Sequence, residues 1–380
     1  MNISTFAHVN AFYMNPLAVG ETSNANIVTW FITHFFADQK FYTLFSILFG
    51  AGIMLMAQRA SNKGVSPTPI HMKRMGWLLL FGLVHGFFIW YGDILATYAL
   101  MGFWVYFLAL NTTAKTKVYV GAALLGAFFL LMASFYFLFQ WVPASEMEEM
   151  NQMFYPTSEM IAEEIAAYQG SWFDNFEHRA KFYGMSLMNM IFMVGPLRIA
   201  GAMLIGMALY QTGILTAEKS KGFYLKFTAL MLAIAITLLY WDYQLLTKEN
   251  FDFNGLWLSF GVANSSAAVF LALAYVGLFC LWAKSDLMGW LRRKFEAVGR
   301  MAFTNYIIQS VVVTTIFYGF GFGLFSELER FELYYVVAAI YLVQLIGSEL
   351  WLKKFYFGPL EWLWRSLTYG KAQPFSRAHS

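Results

Sequence analysis

The sequence predicts an all-α fold: a bundle of transmembrane helices with about nine spans, plus further helices at the cytoplasmic interface. Three observations predict it. Of the 380 residues, 59% are hydrophobic and only 12% are charged, whereas soluble domains carry about 25% charged residues. The mean hydropathy is +0.54. Long stretches are continuously apolar, which is typical of membrane helices, because the strands of a membrane β-barrel alternate over about ten residues.

The same composition excludes several classes of protein. The apolar content excludes a soluble globular enzyme and a disordered chain. A net charge of only +3, from 25 basic and 22 acidic residues, excludes a nucleic-acid-binding protein with a basic face. The single cysteine excludes a disulfide framework and a cysteine-based metal cluster.

Nine stretches are long enough and poor enough in charge to be transmembrane helices, since a bilayer core needs about 20 apolar residues per helix. In order, they are Phe41–Gln58, Met75–Gly92, Ile94–Ala114, Val118–Ser145, Phe182–Ala217, Gly222–Trp241, Phe253–Ala283, Met301–Ser326 and Leu333–Ser348.

The stretch Phe182–Ala217 could hold one long helix or a tight pair, because Pro196 in its middle would kink or break a helix. Lys and Arg collect in cytoplasmic loops, and this bias decides between the two arrangements. With one span there, 18 basic residues fall on one side of the membrane and five on the other, whereas two spans would destroy the asymmetry. We therefore predict one kinked helix, nine spans and a cytoplasmic C-terminus.

The spans form one transmembrane domain over residues 1–380, without an internal repeat. Residues 143–180 contain eight acidic residues and are predicted to be an extracytoplasmic acidic loop with a short amphipathic helix in TSEMIAEEIAAYQ. Two amphipathic segments that mix Trp and Arg, 286–300 and 358–371, are predicted to be helices in the cytoplasmic interface. The residues after Lys371 are expected to form a short free tail.

The beginning of the chain is unusual for this topology. Nine spans and a cytoplasmic C-terminus place residue 1 outside the cytoplasm, yet no signal peptide precedes it. A chain that starts outside would have no means of crossing the membrane. We therefore expect that a first helix is missing and that Met1 lies late in that helix.

Polar residues within the spans are the candidates for function, because burying them in a membrane is costly. His85 is the best candidate for a general base, since imidazole titrates near neutral pH, and His34 is the second. A hydrogen-bonded core histidine is the structural alternative. Asp93 is expected to cap the next helix, which does not exclude a catalytic role. It lies eight residues after His85, about 12 Å along an ideal helix, so direct pairing is not assumed.

Arg198 lies near mid-membrane, two residues after Pro196. A ligand role and a structural role, in which it pairs with a carboxylate or with carbonyls freed by the kink, are equally supported. Asn305 and Gln309 lie four residues apart on one helix face, where such amides more often tie helices together than contact a substrate. Other polar residues in or at the ends of spans are Asn189, Asp242, Asn264, Gln344 and Glu349.

Several known mechanisms lack their motifs. The chain has no GxxxxGK[ST] phosphate loop and no HExxH motif, and GFGFG at 319–323 ends an apolar span, so it is not a dinucleotide loop. A dihaem cytochrome needs four buried histidines, and only His85 lies clearly within a span. No metal site is predicted. Paired broken helices are missing, so an inverted-repeat transporter is weakly supported.

Four blocks, in order, resemble the YeiB-like family of bacterial inner-membrane proteins, which is defined by a C-terminal domain of unknown function. They are DQKFYTLFSILFGAGIMLMAQR, KRMGWLLLFGLVHGFFIWYGDILATYALMG, RIAGAMLIGMALYQTGIL, and GRMAFTNYIIQSVVVTTIFYGFGFGLF with FGPLEWLWRSLTYGK. The resemblance covers nearly the whole chain, and the acidic loop is its least typical part. It implies a bacterial cytoplasmic membrane location and ten spans in the full family pattern, whose extra first helix ends in an Asn that Asn2 matches.

The family is similar to membrane acyltransferases of the heparan-glucosaminide N-acetyltransferase type, which move an acyl group from a cytoplasmic thioester to an acceptor on the other side. The resemblance implies acyl-CoA as donor, no covalently bound cofactor, and a small-molecule, glycan or lipid acceptor; no nucleic-acid partner is expected, and a homo-oligomer is left open. The candidate site residues are His85, His34 and Asp93 for catalysis, and Arg198, Asn2, Asn305 and Gln309 for substrate binding.

Two alternatives stay open. One is a transporter or exporter of a small amphiphilic or anionic molecule, with Arg198 as its anion site, for which substrate flux in proteoliposomes is the distinguishing observation. The other is a non-enzymatic membrane partner, such as a sensor that uses the acidic loop. This last alternative predicts a narrow interior in which Arg198 is fully paired within the protein.

Overall fold

The computed structural model describes residues 2–20, 22–248 and 250–377, and it is helical almost throughout. The first helices are α1 (Ile3–Ala7), α2 (Asn10–Met14), α3 (Asn24–Phe36), α4 (Lys40–Ser61), α5 (Pro67–Phe88), α6 (Leu95–Ala109), α7 (Ala114–Phe139), α8 (Ala144–Asn151), α9 (Ser158–Gln169) and α10 (Trp172–Asn189). They are followed by α11 (Ala200–Gln211), α12 (Lys221–Lys248), α13 (Phe253–Leu258), α14 (Asn264–Ala283), α15 (Gly289–Arg300), α16 (Ala302–Phe317), α17 (Leu333–Lys354) and α18 (Pro359–Tyr369). Two π-helical segments, Met190–Ile199 and Ser259–Ala263, precede α11 and α14.

Six helical segments among the described residues are long and apolar enough to cross a membrane. They are Asn24–Ser61, Ala114–Phe139, Trp172–Gln211, Lys221–Lys248, Phe253–Ala283 and Leu333–Lys354. The all-helical fold is confirmed, but the count of nine spans is not. Three of the predicted spans are not among these six. Two of them coincide with α6 and α16, which have only 15 and 16 residues and are shorter than a bilayer core requires. The third, Met75–Gly92, lies mostly in α5, which has 22 residues but includes Lys73 and Arg74.

The outer surface of these helices is apolar. Leu130 on α7 is 74% exposed, Phe192 in the first π-helical segment is 73% exposed, and Val343 on α17 is 70% exposed. Exposed apolar surface of this extent is unfavourable in water and favourable against lipid. The chain is therefore a multi-pass integral membrane protein.

One continuous helical run extends from Trp172 to Gln211, in agreement with the single kinked helix predicted for this part of the chain. Pro196 lies inside the π-helical segment Met190–Ile199; it has no N–H to donate, and a π-helix accommodates the lost hydrogen bond by widening the turn. A Cβ on Gly195 would lie 2.3 Å from the carbonyl oxygen of Met190, so the widened turn requires glycine there.

Most of the acidic segment 143–180 is helical. The helix predicted in TSEMIAEEIAAYQ is α9, whose first turn is capped by the Thr157 side chain. The two predicted amphipathic helices are α15 and α18. The prediction of a free tail after Lys371 is wrong for the described residues. Tyr356 donates a hydrogen bond from its backbone N–H to the carbonyl of Phe375, and the Phe375 ring packs against Phe355 and Trp362.

Helix α3 was not predicted. No span is predicted before Phe41, yet α3 covers Asn24–Phe36, and the Ser23 side chain caps it by accepting a hydrogen bond from the Asn26 N–H. Helix α3 carries His34 and Trp30 into the interior, where both are buried.

The centre of the bundle depends on close contact between α4 and α11. A Cβ built on Gly50 would lie 2.0 Å from the carbonyl oxygen of Met203, and one on Gly206 would lie 1.9 Å from that of Ile47. Small residues let two helix backbones approach in this way, which is a common means of association inside membranes.

Gly50→Ala is expected to lower the free energy of unfolding by about 1–3 kcal/mol, because the added methyl group must push α4 and α11 apart. Gly52→Ala on the same helix is the matched control, since a Cβ there would meet nothing within 4 Å; it should be neutral or slightly stabilising, as alanine favours helices. Thermal unfolding in detergent measures both. Equal midpoints for the two variants would contradict the close contact.

Candidate functional site

His85 and Asp93 form a buried pair at the end of α5, the predicted outer end of the bundle. The backbone N–H groups of Ile89 and Trp90 both donate to the His85 carbonyl at 2.9 Å and end the helix. The chain then turns back at Gly92, where a Cβ would lie 2.1 Å from the Trp90 ring. Because of this turn, His85 Nδ1 lies 2.9 Å from Asp93 Oδ2, and the pair that was not assumed from sequence is present.

The two oxygens of Asp93 have separate partners. Oδ1 accepts a hydrogen bond of 2.9 Å from the Ala96 N–H in the first turn of α6, so the predicted capping role is confirmed, and Oδ2 faces His85. A Cβ on Gly82 would lie 2.9 Å from Oδ1 and 2.2 Å from the Ala96 nitrogen, so glycine makes room for this arrangement. The carboxylate is thereby fixed from two sides.

The second ring nitrogen of His85, Nε2, makes no hydrogen bond with Asp93. Among the described residues, Nε2 has no hydrogen-bond partner although the side chain is only 1% exposed. The rings of Tyr306 and Trp90 lie near it, with centroids at 5.0 and 6.3 Å. In a neutral imidazole, a carboxylate that accepts from Nδ1–H leaves Nε2 without a proton, which is the tautomer of a general base.

The N-terminal segment covers this pair. The Phe6 ring of α1 stacks on Trp90 with centroids 3.9 Å apart, and the Tyr91 hydroxyl donates to the Thr5 carbonyl. The site of His85 is therefore covered at the predicted outer end by α1.

His34 lies in a second buried network, the Lys40 network, which consists of His34, Lys40, Asp242 and Asn264. All four side chains have an exposed fraction of 0%. His34 Nε2 lies 2.9 Å from Asp242 Oδ2 and also contacts the Asn264 amide. Lys40 Nζ donates to the His34 carbonyl at 2.6 Å and to the Asn264 side-chain oxygen. Trp30 stacks on the imidazole at 4.4 Å, and Nδ1 of His34, like Nε2 of His85, has no hydrogen-bond partner among the described residues.

Arg198 is 6% exposed and lies deep in the bundle. Its guanidinium lies over the rings of Tyr42 and Phe128, at 5.2 and 5.5 Å from their centroids. Within the part of the chain described, Nε and Nη2 have no hydrogen-bond partner, and no carboxylate forms an ion pair with it. The structural role in which Arg198 is fully paired within the protein is therefore not seen among the described residues.

Asn305 and Gln309 join two helices. Asn305 Nδ2 donates to Ser348 Oγ at 3.0 Å, and Gln309 Nε2 donates to Gln344 Oε1 at 2.7 Å, so α16 and α17 are tied by side-chain amides. Asn2 precedes α1, and its carbonyl accepts from the Thr5 N–H. These contacts agree with the helix-joining alternative for the two amides, and they bring neither of them to the His85–Asp93 pair.

Two cavities lie at opposite ends of the bundle. The outer cavity, of about 320 Å³, is bounded by the N-terminal segment, α9 and the loop before α17, with His8 and Arg330 in its lining. The inner cavity, of about 780 Å³, is lined by the ends of α4, α6 and α11, with Gln58 and Tyr210 among its polar groups. The described residues contain no group of three or more His, Cys, Asp or Glu that could hold a metal ion.

Sequence reasoning missed three buried cations on the predicted outer side and one acid, and on the predicted inner side it missed Lys117, which is 1% exposed. Lys40, Arg179 and Arg330 are at most 2% exposed, and so is Asp38, although all four lie outside or at the edges of the predicted spans. The charge count assigned the three cations to the outer side as ordinary loop residues. The sequence feature that could have predicted their burial is the residues around them, since each lies in an aromatic-rich segment such as HFFADQKF or WFDNFEHRAKF.

Glu164 on α9 links the acidic segment to the N-terminus, because its Oε1 accepts a hydrogen bond of 3.0 Å from the Asn10 N–H. Burial raises the pKa of Glu164 to about 7, and the Asn10 hydrogen bond opposes the increase. The folded protein therefore holds a proton that the unfolded chain releases near pH 4.5. The stability that this proton provides is present at low pH and is lost as pH rises toward 7.

Between about pH 4.5 and pH 7, the unfolding midpoint of the native protein is expected to fall relative to that of Glu164→Gln, which cannot ionise. Thermal unfolding in detergent at a series of pH values measures the difference. Glu163→Gln, at an exposed neighbouring position, is the control and should follow the native curve. If the Glu164→Gln curve also runs parallel to the native one, the carboxyl is not buried against Asn10.

Comparisons with known proteins identify the family of this chain. Residues 209–371 match the family described as protein of unknown function (DUF418). The chain is 33% identical to the uncharacterized protein YxaH of Bacillus subtilis, over 96% of this chain and 87% of that protein. It is 30% identical to the uncharacterized protein YeiB of Escherichia coli, over 98% of this chain and 93% of that protein. No solved structure matches the chain. The chain therefore belongs to the YeiB-like DUF418 family.

Proposed function

We propose that the protein is a transmembrane acyltransferase in which His85 is the general base. The observation that carries the proposal is the buried 2.9 Å contact between His85 Nδ1 and Asp93 Oδ2, with Nε2 left without a partner in the described residues. This arrangement of a carboxylate, an imidazole and a free nitrogen activates a hydroxyl or an amine for attack on a carbonyl. Asp93 acts as a positioning residue that fixes the tautomer.

The reaction follows from the resemblance to membrane acyltransferases. Nε2 of His85 takes the proton of the acceptor hydroxyl or amine, and the acceptor attacks the carbonyl carbon of the acyl-CoA thioester. The thiolate of CoA leaves and receives the proton from the imidazolium. Arg198, with two unpartnered nitrogens deep in the bundle, is proposed to bind the acyl carbonyl or an acceptor oxygen.

The inner cavity is proposed as the donor end. Its volume of about 780 Å³ lies within the range of cofactor pockets. Gln58, Tyr210 and Gln211 line it, together with Glu218 but without Lys or Arg, so its chemistry suits the amide-containing pantetheine arm. The phosphates of CoA would lie beyond the rim, near basic residues such as Arg59 that follow the lining residues in sequence. Neither cavity is lined by His85, so α1 must move for the acceptor to reach it.

Acyl transfer from radiolabelled acetyl-CoA to a cell-envelope glycan and lipid fraction tests the proposal with the purified protein. His85→Gln should reduce transfer at least 100-fold. His71→Gln is the matched control on α5, because His71 is also buried but contacts the Gly102 carbonyl instead of a carboxylate. His34→Ala tests the second candidate base, and transfer should be retained in this variant if His85 is the base. Unchanged transfer in His85→Gln would end the assignment of this base.

The topology is part of the proposal. We place the protein in the bacterial inner membrane with residues 143–180 outside and the C-terminus in the cytoplasm, on the basis of the basic-residue asymmetry. This topology requires α5 and the short apolar helices α6 and α16 to cross the membrane together with the six longer segments. A C-terminal fusion to a reporter that is active only in the cytoplasm should be active. Inactivity of that fusion, together with activity of a periplasmic reporter, would reverse the orientation.

A transporter or exporter of a small amphiphilic or anionic molecule is the second candidate. The two cavities at opposite ends and the unpaired guanidinium nitrogens of Arg198 support it. Flux of a labelled anion in proteoliposomes, lost in Arg198→Gln and retained in His85→Gln, would favour transport. Transfer without flux would favour the enzyme.

A further inference from the structure

The outer cavity is a site of mixed chemistry that the proposed reaction does not use. Val9, Phe12, Ile161 and Ile165 form apolar walls around a volume of about 320 Å³, which is at the lower end of the range for small-molecule pockets. The cavity lies between the N-terminal segment, α9 and the loop before α17, so three parts of the chain converge on it.

A buried cation lies in the cavity lining. Arg330 is 2% exposed, and its guanidinium lies over the Phe12 ring at 4.0 Å. Nη1 donates to Ser4 Oγ at 3.2 Å and Nη2 to the Phe12 carbonyl, while Nε has no partner among the described residues. Nε2 of His8, which is 8% exposed, has none either. A buried polar atom without a partner is unfavourable unless a ligand satisfies it.

A carboxylate lies in the same cavity, one residue away in sequence. Glu329 is exposed, and its Oε2 accepts hydrogen bonds from Asn26 Nδ2 at 2.9 Å and from Ser23 Oγ at 3.1 Å. These two donors orient the carboxylate group at the rim. Burial and the charge of Arg330 lower the pKa of His8 to about 3, so the imidazole is neutral at pH 7 and adds no third charge.

We propose that this cavity binds a zwitterion, with the acidic group of the ligand at Arg330 and His8, its primary ammonium at Glu329, and an apolar part against Phe12 and Ile165. An anion without an ammonium would leave Glu329 unpaired and repelled, and a cation without an acidic group would be repelled by Arg330. A free amino acid with an aliphatic side chain and the head group of an ethanolamine phospholipid share this chemistry. The proposal does not depend on the acyl-transfer reaction.

Isothermal titration of the purified full-length protein in an uncharged detergent tests the site. The zwitterionic probes are leucine and dihexanoyl phosphatidylethanolamine. The single-charge probes are 4-methylpentanoate, 3-methylbutylamine and dihexanoyl phosphatidylglycerol. At least one zwitterion should bind, about tenfold or more tightly than the probes that lack one of its charges, and the one that binds identifies the source of the ligand.

Glu329→Gln should weaken zwitterion binding about tenfold or more. Glu329 is exposed, and the glutamine keeps a side-chain oxygen that can accept from Asn26 and Ser23, so the fold should be retained. Glu327→Gln, exposed in the same loop but outside the cavity lining, is the matched control and should bind as the native protein does. The proposal is overturned if neither zwitterion binds, if a single-charge probe binds as tightly, or if both variants lose the same affinity.

Discussion

Asp93→Asn is expected to lower the rate of acyl transfer about 10²–10⁴-fold, the range typical of a general base that is lost or held in the wrong tautomer. The reason is specific to the two partners of this side chain. The Ala96 N–H donates a hydrogen bond and needs an oxygen acceptor. The side-chain oxygen of Asn would therefore face Ala96, and its NH₂ group would face His85. The NH₂ can only donate, which makes Nδ1 an acceptor and moves the ring proton to Nε2.

The measurement is kcat and KM for radiolabelled acetyl-CoA in the native and variant proteins. A positioning role predicts that kcat falls while KM for the donor stays unchanged, because the Ala96 cap and the fold are retained. Asp252→Asn is the matched control, since Asp252 caps the Gly255 N–H at 2.6 Å without a histidine beside it. Full activity of Asp93→Asn, or an equal loss in Asp252→Asn, would show that the carboxylate does not set the tautomer.

The helical fold could be predicted from composition because membrane helices leave a local signal. The long helix around Pro196 is an example, since the distribution of Lys and Arg distinguished one span from two. The number of spans was harder to predict from the sequence. Helices α6 and α16 end earlier than their apolar stretches do, because apolar residues continue into loops that pack inside the protein, as Tyr318 and Phe325 do.

The site was predictable residue by residue but not as a geometry. His85 and Asp93 were both found from sequence, yet the helical spacing argued against their contact, because the end of α5 and the turn at Gly92 depend on packing against Trp90. Lys40 was counted as a loop residue, since its position at the start of a span does not tell whether other helices surround it. For these residues the sequence predicted the position along the chain and the candidate role, but not which side chains from other helices lie beside them.

Asp242→Asn is expected to destabilise the protein by about 3–5 kcal/mol, because it removes one charge from a buried network and leaves another uncompensated. Asp242 contacts His34 at 2.9 Å, and it also interacts electrostatically with Lys40. Both side chains are fully buried, so water cannot replace the lost charge. Thermal and chemical unfolding in detergent measure the loss.

The double variant Asp242→Asn with Lys40→Met decides whether charge compensation is the cause. If Asp242 chiefly balances the Lys40 ammonium, removing both charges should recover about 0.5–3 kcal/mol relative to the sum of the single losses, since residues in one network are not additive. A methionine at position 40 keeps the apolar stem that packs in the core. Additive losses would instead mean that Asp242 acts through His34 alone, and the Lys40 network would then be two separate contacts that share Asn264.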